Sequence, residues 1–518
     1  MVAREESNSR TISFTVSDER ISSLLQHVQE IDDISKLAEL AGWDQQTAMP
    51  DGASEVRGYQ LATLQGLLHE RMTAPHVGEL LKELDDVVRQ GHFTDADRGL
   101  VRQARRDYDL ATKLPRTLVE ELARVSVASV DAWTRARQQN DFASFAPWLR
   151  RTLDLQREVA DRKGFTETRY DALIDESDPG MTARQLETLF APIRDASIAL
   201  LQRIKASGDS LDASCLYGTF PPERQYQLCE KAASSIGFDF TRGLIARSAH
   251  PFTSSFGSPF DVRFTVRYHE RLLAQSLMAA LHEGGHALYE QGISQALFRT
   301  PLAEGASSGI HESQSRLWEN VLGRSEAFWQ GKYALVQEVF PEHFKSVDRA
   351  TFVRALNKVE PSLIRVEADE VTYNLHIIIR FELEQALING EVAVESLPRL
   401  WNDKYRKYLD IEPENDTLGV LQDIHWATGF GYFPSYTLGN LYSAQIFYTL
   451  RNEFPNLDEQ LASGDTMFVL QWLRNHMYAF GKIYLPEDLM VRMTGEPANP
   501  HYLVHYLNEK FQCLYGLS

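Results

Sequence analysis

The chain has 518 residues, a formal net charge of −19, 43% hydrophobic residues, and 26 Phe, 20 Tyr and 8 Trp. That apolar content is enough for a large core, and so acidic a surface argues against nucleic acid and anionic membranes as partners. Three cysteines, Cys215, Cys229 and Cys513, are too few and too odd in number for a disulfide framework, which favours a reducing compartment.

Met1 to Arg20 is polar and mixed in charge, with no apolar stretch of the kind a signal peptide needs. No apolar run approaches the ~18 residues that span a bilayer. The expectation is a soluble, cytoplasmic protein. Residues 1–15 read as a disordered tail. No Pro/Gly/Ser-rich linker or long charge run divides residues 16–518, so they read as a single domain, although length alone allows about three.

Helical periodicity dominates. Ile21, Leu24, Val28, Ile31 and Ile34 recur at steps of three and four. A further helix is expected after Pro115, which suits a first-turn position, with Leu118, Leu122 and Val125 on one face. No fixed-period repeat is present, which excludes a solenoid. The exception to helix is Asp261 to Tyr268, where Val262, Phe264, Val266 and Tyr268 alternate with Arg263, Thr265 and Arg267 as in a half-buried strand. Pro251 to Pro259 reads as a turn, with a second strand ending near His250. The fold expected is mainly α, with one small sheet next to the helix that follows it. Such a sheet can hold an extended peptide at its edge or simply cap the core.

That helix, Leu272 to Tyr289, contains His282-Glu283-Gly284-Gly285-His286, an HExxH pattern. Two histidines four apart lie one above the other on one face, so both imidazoles can reach one zinc ion, with the Glu beside the attacking water. Each glycine costs a helix interior about 1 kcal/mol against Ala, which points to a close approach to the backbone there. A catalytic zinc site needs a third protein ligand. The next helical segment, Ser307 to Leu322, offers His311, Glu312 and Glu319. Glu312 completes a His-His-Glu set, and His311 points about 100° away from it on an ideal helix.

Pro361 to Gly390 reads as one long helix, with Arg365, Asp369, Thr372, His376 and Arg380 on one face. Either the stripe is solvated or it lines a groove, where an arginine fork can grip a carboxylate. Gly419 to Asn440 reads as a glycine- and aromatic-rich loop that contains His425, Tyr432 and Tyr436. His and Tyr are suitable donors to an oxyanion.

The stretch from His311 to Arg316 resembles a signature of the carboxypeptidase Taq family of helical zinc carboxypeptidases. Further signatures follow the family's order. They are Trp43 to Pro50, Asp178-Pro179-Gly180-Met181-Thr182, His250-Pro251-Phe252, Asp261 to Thr265, Ile364-Arg365 through Asp369-Glu370, and Gly419 to Trp426. The resemblance runs from about residue 20 to the C-terminus. There are two departures: Ile364 stands where the family often has Arg or Ala, and Arg316 stands where the wider clan places an acid that orients a zinc histidine.

The resemblance implies a helical zincin-type metallopeptidase with a deep groove between two helical halves. It implies release of single residues from the free C-terminus of peptides, with broad specificity and proline disfavoured. It implies Zn2+, with Co2+ a possible substitute, on His282, His286 and Glu312. Glu283 would be the general base, and His425 and Tyr436 the oxyanion donors. Arg365, Tyr432, His250 and Arg263 would bind substrate. It also implies a homodimer. Two rivals remain: an oligopeptidase that cuts internal bonds, and a non-catalytic helical scaffold with a structural metal.

Overall fold

The periodic apolar residues near the N-terminus build a helix over Glu19–Thr47 (α1), capped by Asp18, whose carboxylate accepts the Arg20 N–H. Ile21, Leu24, Leu25 and Val28 are buried along it. A second helix, Ser54–Met72 (α2), packs on α1 and buries no residue completely. The computed structural model describes residues 12–89 and 92–517. Residues 1–11 of the expected tail lie outside the described residues. Residues 12–15 depart from that expectation: Ile12 and Phe14 pack against the core, and Thr15 donates its N–H and its hydroxyl to Asp97 at 2.9 and 2.6 Å.

The helix expected after Pro115 runs Arg116–Gln139, with Pro115 at the N-cap and not in the first turn. A short helix, Arg169–Ser177 (α3), leads to Asp178. The buried apolar side chains form one cluster that extends from Ile21 to Tyr515. Among the described residues no helix is long and apolar enough to cross a membrane.

The sheet has three strands, Gly243–Arg247 (β1), Thr253–Ser255 (β2) and Val262–Val266 (β3), in the order β1-β3-β2. β1 pairs parallel to β3 with Ile245 opposite Phe264, and β2 pairs antiparallel with Thr253 opposite Phe264. β3 is the strand read from its alternation, and Val262, Phe264 and Val266 are fully buried. The stretch from Pro251 to Pro259 was expected to be a turn, but its middle is strand β2. β1 ends at Arg247, three residues before His250. β2 has no apolar alternation: the Thr253 hydroxyl donates to Glu283 and the Ser255 hydroxyl meets Ser258 Oγ.

β3 leads directly to the HExxH helix, Leu273–Gly292 (α4), which packs on it. Most of α4 is buried on every side, as expected of a helix through the middle of a large core. The next site helix, Ser308–Arg316 (α5), starts where the Ser307 hydroxyl accepts the Ile310 N–H, and it continues into a π-turn over Leu317–Leu322.

The long helix expected from Pro361 to Gly390 is not one helix. Arg365–Glu367 is a 3-10 turn, and the α-helix covers only Tyr373–Ile388 (α6). The break is at Asp369. Its carboxylate accepts the N–H groups of Val371 and Thr372 at 2.9 and 3.0 Å, which starts a new helix. The polar stripe is not solvated either: Arg365, Thr372, His376 and Arg380 are buried. The region from Gly419 to Asn440 is only partly loop, because a helix over Pro434–Glu453 (α7) begins within it.

Candidate metal centre and substrate groove

His282 and His286 lie one turn apart on α4, as their spacing requires, and α5 brings Glu312 to them. Glu312 Oε2 is 3.8 Å from His282 Nε2 and 3.3 Å from His286 Nε2. One ligand atom from each residue lies within 4.8 Å of the other two. Both outer ring nitrogens are already occupied. His282 Nδ1 meets Glu319 Oε2 at 2.8 Å, and His286 Nδ1 meets His311 Nδ1 at 2.5 Å. Two imidazole nitrogens and one carboxylate oxygen therefore converge with their other sides satisfied. This donor set fits zinc or a similar borderline divalent ion.

The electrostatics agree. Burial alone would raise Glu312, but Arg316 and the two imidazoles outweigh it and hold the carboxyl well below its ordinary value. Arg316 Nε donates to Glu312 Oε1 at 2.7 Å, which leaves Oε2 for the centre. The arginine noted as a departure thus orients the Glu312 carboxylate. Burial would likewise raise Glu319, but its bond to His282 lowers it to about 2. Burial pulls His286 down to about 4, so its ring is neutral at neutral pH. Glu283 is buried and its carboxyl raised by that burial, and Thr253 on β2 donates its hydroxyl to Glu283 Oε2 at 2.7 Å.

The glycine pair has unequal roles. A Cβ on Gly285 would stand 2.5 Å from the Gln314 carbonyl oxygen and 2.8 Å from Ser315 Cα. The close approach inferred from sequence is therefore that of α5, and it sets the distance between the two ligand-bearing helices. At Gly284 a Cβ meets only Ile236 Cδ1, at 3.2 Å. Gly285→Ala is expected to destabilise by about 1–3 kcal/mol through overpacking against backbone and to lower metal content, whereas Gly284→Ala stays within about 1 kcal/mol of wild type. Denaturant midpoints and metal stoichiometry of the two variants check this. Gly439 on α7 plays the same part on the other side of α5, because a Cβ there would meet Glu312 Cγ at 2.5 Å.

A groove of about 910 Å³ opens over the centre. α1, the edge strand β2, α4, the segment before α5, Tyr432 and Tyr436 line it. His425 stands behind this wall. Its Nε2 is 3.5 Å from the Tyr436 hydroxyl and its Nδ1 is 3.5 Å from Asp423 Oδ1. Arg365 binds the same aspartate through Nε and Nη2 at 3.0 and 2.9 Å, and Arg380 Nε adds a third bond at 2.7 Å. Burial opposes ionisation of Asp423, yet the two arginines hold its carboxyl far below the usual range. Two guanidiniums against one carboxylate leave one net positive charge beside Tyr436, whose ring lies 5.0 Å from the Arg365 guanidinium.

Two further carboxylates hold these parts in place; the sequence reading names Asp178 only within a signature and does not reach Glu384. Asp178 accepts the Gly309 N–H at 2.9 Å and the Ser435 hydroxyl at 2.6 Å, joining the start of α5 to the start of α7. Glu384 on α6 accepts from the Tyr170 hydroxyl on α3, Trp426 Nε1 and the Gly431 N–H at 2.6, 2.8 and 3.0 Å. Burial raises Glu384 to about 7. An acid raised in the folded state binds more protons there than in the unfolded chain. Its contribution is therefore fully present below the ordinary glutamate value and is lost as pH rises towards 7. Glu384→Gln is expected to flatten the decline in stability between about pH 4.5 and 7, as urea melts at several pH values will show.

Three residues expected at the substrate, Arg365, His250 and Arg263, are not among those that line the groove. His250 is exposed, and only its carbonyl is engaged, by Ser248. Arg263 is paired with Asp261 at 2.8 and 2.7 Å and lies over the rings of Trp43 and Phe256. Of the signature around His250, Pro251 and Phe252 do line the groove, and Arg263 lies within β3.

A profile of the carboxypeptidase Taq (M32) metallopeptidases matches residues 23–511. The chain is 42% identical over 506 residues to thermostable carboxypeptidase 1 of Thermus thermophilus, covering 95% of this chain and 98% of the relative. It is 39% identical over 491 residues to carboxypeptidase 1 of Bacillus subtilis, covering 95% and 97%. The crystal structure of the M32 carboxypeptidase from Deinococcus radiodurans R1 superposes with a TM-score of 0.92 at 38% identity, covering 96% of this chain and 100% of that one. With a ligand set of this kind beneath a groove, the protein falls in the class of metallocarboxypeptidases, which are peptide hydrolases. Within that class, the chain belongs to the carboxypeptidase Taq (M32) family.

Proposed function

We propose that the protein releases single residues from the free C-terminus of peptides, with zinc held by His282 Nε2, His286 Nε2 and Glu312 Oε2. The convergence of those three atoms, each backed by a hydrogen-bonded partner, carries the reading. An ion bound there polarises a carbonyl and makes water nucleophilic at neutral pH, and cobalt can supply the same chemistry. Glu283 takes the proton of the attacking water and passes it to the leaving amine. Thr253 holds one of its oxygens and leaves the other for that work. The outer edge of β2 faces the groove and offers main-chain pairing to an extended peptide.

Tyr436 donates to the developing oxyanion, with His425 and Asp423 holding its hydroxyl from behind, and Tyr432 stands beside it as a second phenol. The positive charge of the Arg365–Arg380–Asp423 group attracts the substrate's terminal carboxylate. Three cysteines without a disulfide agree with a cytoplasmic location. The family resemblance adds one catalytic domain, a homodimer, and broad acceptance of side chains except proline.

A free-acid peptide and its C-terminal amide test this reading. The amide is expected to be cleaved roughly tens- to thousands-fold less efficiently, because one partner of a charge pair is gone. Arg365→Ala should lose most of that preference, since it leaves Asp423 and Arg380 to cancel. Mass spectrometry of the digests reads both results. Equal cleavage of the two peptides with internal cuts would make the protein an oligopeptidase.

A further inference from the structure

The shortest contact at the centre joins a ligand to a histidine outside the ligand set. His286 Nδ1 and His311 Nδ1 are 2.5 Å apart, so one of them carries the shared hydrogen. The residue behind His311 decides which. His311 Nε2 lies 2.8 Å from Glu290 Oε1, and a carboxylate can only accept. The Nε2 of a neutral His311 therefore carries its hydrogen, its Nδ1 is an acceptor, and the shared hydrogen belongs to His286 Nδ1. His286 Nε2 is left with a lone pair on the side where Glu312 Oε2 stands.

The network extends further. The Ser258 hydroxyl donates to the other oxygen of Glu290 in a close contact, and the Ser255 hydroxyl meets Ser258 Oγ at 2.5 Å. Ser255 is the last residue of β2, the strand that lines the groove. Every hydrogen in the chain can point towards Glu290, so each member is satisfied. The ring of His311 also has a fitted place. It lies 5.3 Å from the Tyr289 ring, and a Cβ on Gly305 would stand 2.5 Å from its Cδ2.

We propose that His311 and Glu290 are positioning residues. They fix the tautomer and the ring plane of His286, and through Ser258 and Ser255 the same buried network holds the substrate-side strand against that ligand. Glu319 performs the first task for His282 in one step. The proposal rests on the reading of His282, His286 and Glu312 as metal ligands.

The experiment compares metal affinity in wild type, His286→Ala, His311→Leu and His311→Asn by competition with a chelator. His311→Leu is expected to bind zinc roughly 10- to 100-fold more weakly. His311→Asn returns an amide oxygen that can face His286 Nδ1–H, so its affinity should recover to within a few fold of wild type. The visible spectrum of the cobalt-loaded proteins should shift for Leu and return for Asn. A second measurement needs no variant: nitrogen shifts of 15N-histidine-labelled, metal-free wild type should place the His286 hydrogen on Nδ1. That arm decides the matter if His311→Leu fails to fold. A His286 hydrogen on Nε2, or unchanged affinity in a folded His311→Leu, overturns the relay alone. Metal binding that survives in His286→Ala at wild-type affinity overturns the ligand reading beneath it.

Discussion

Replacing Glu283 by Gln is expected to leave metal bound and to lower turnover by roughly 10²–10⁴-fold. The amide keeps the size of the side chain and can still accept the Thr253 hydroxyl, which now sits 2.7 Å from Glu283 Oε2. It cannot take a proton. Burial already raises the Glu283 carboxyl towards the range in which a base works best near neutral pH. Metal content measured by mass spectrometry beside single-turnover rates separates binding from chemistry. Turnover near that of the wild type would remove Glu283 from the role of base.

The second large effect is loss of the centre itself. Glu312→Ala, His282→Ala and His286→Ala are each expected to fall from about one bound metal to near zero after dialysis, with activity lost in parallel, because a site of three protein ligands has no spare donor. Glu319→Ala should behave differently. Its carboxylate meets the outer nitrogen of His282, so its removal should weaken affinity by roughly 10- to 100-fold and leave the stoichiometry recoverable at higher metal concentration. The opposite pattern, with Glu312→Ala retaining metal and Glu319→Ala losing it, would exchange their roles.

How much of this was legible depended on whether local spacing or long-range packing fixed the residue. The two histidines and Glu283 follow from the period of one helix. β3 follows from alternation. Glu290 had a signal that went unused: it stands four residues after His286 and eight after His282, on the same face of α4. The sequence reading of His311 is that it points away from Glu312 on its own helix. That argument is correct for α5, yet it ignores that α4 passes on His311's side and meets it there. The false long helix from Pro361 to Gly390 overlooked a capping signal, Asp369 three residues before Thr372, which restarts the chain as a new helix. Asp178, Glu384 and Asp423 could not be read as supports. Each joins segments far apart in sequence, and nothing near an isolated acid announces which distant N–H or guanidinium will reach it.

The proposed ligands come from two helices whose backbones come together where Gly285 admits α5. An ion held there is a cross-link between α4 and α5, and it sits among buried carboxylates whose mutual repulsion it offsets. Anything that binds the folded chain and not the unfolded one adds stability by mass action, about 1.4 kcal/mol for each tenfold rise in free ligand above its Kd. The melting temperature of this protein is therefore a gauge of free metal. Two preparations with identical sequences will melt at different temperatures if one has been stripped by a chelator, and stabilities of variants can be compared only at a fixed metal activity.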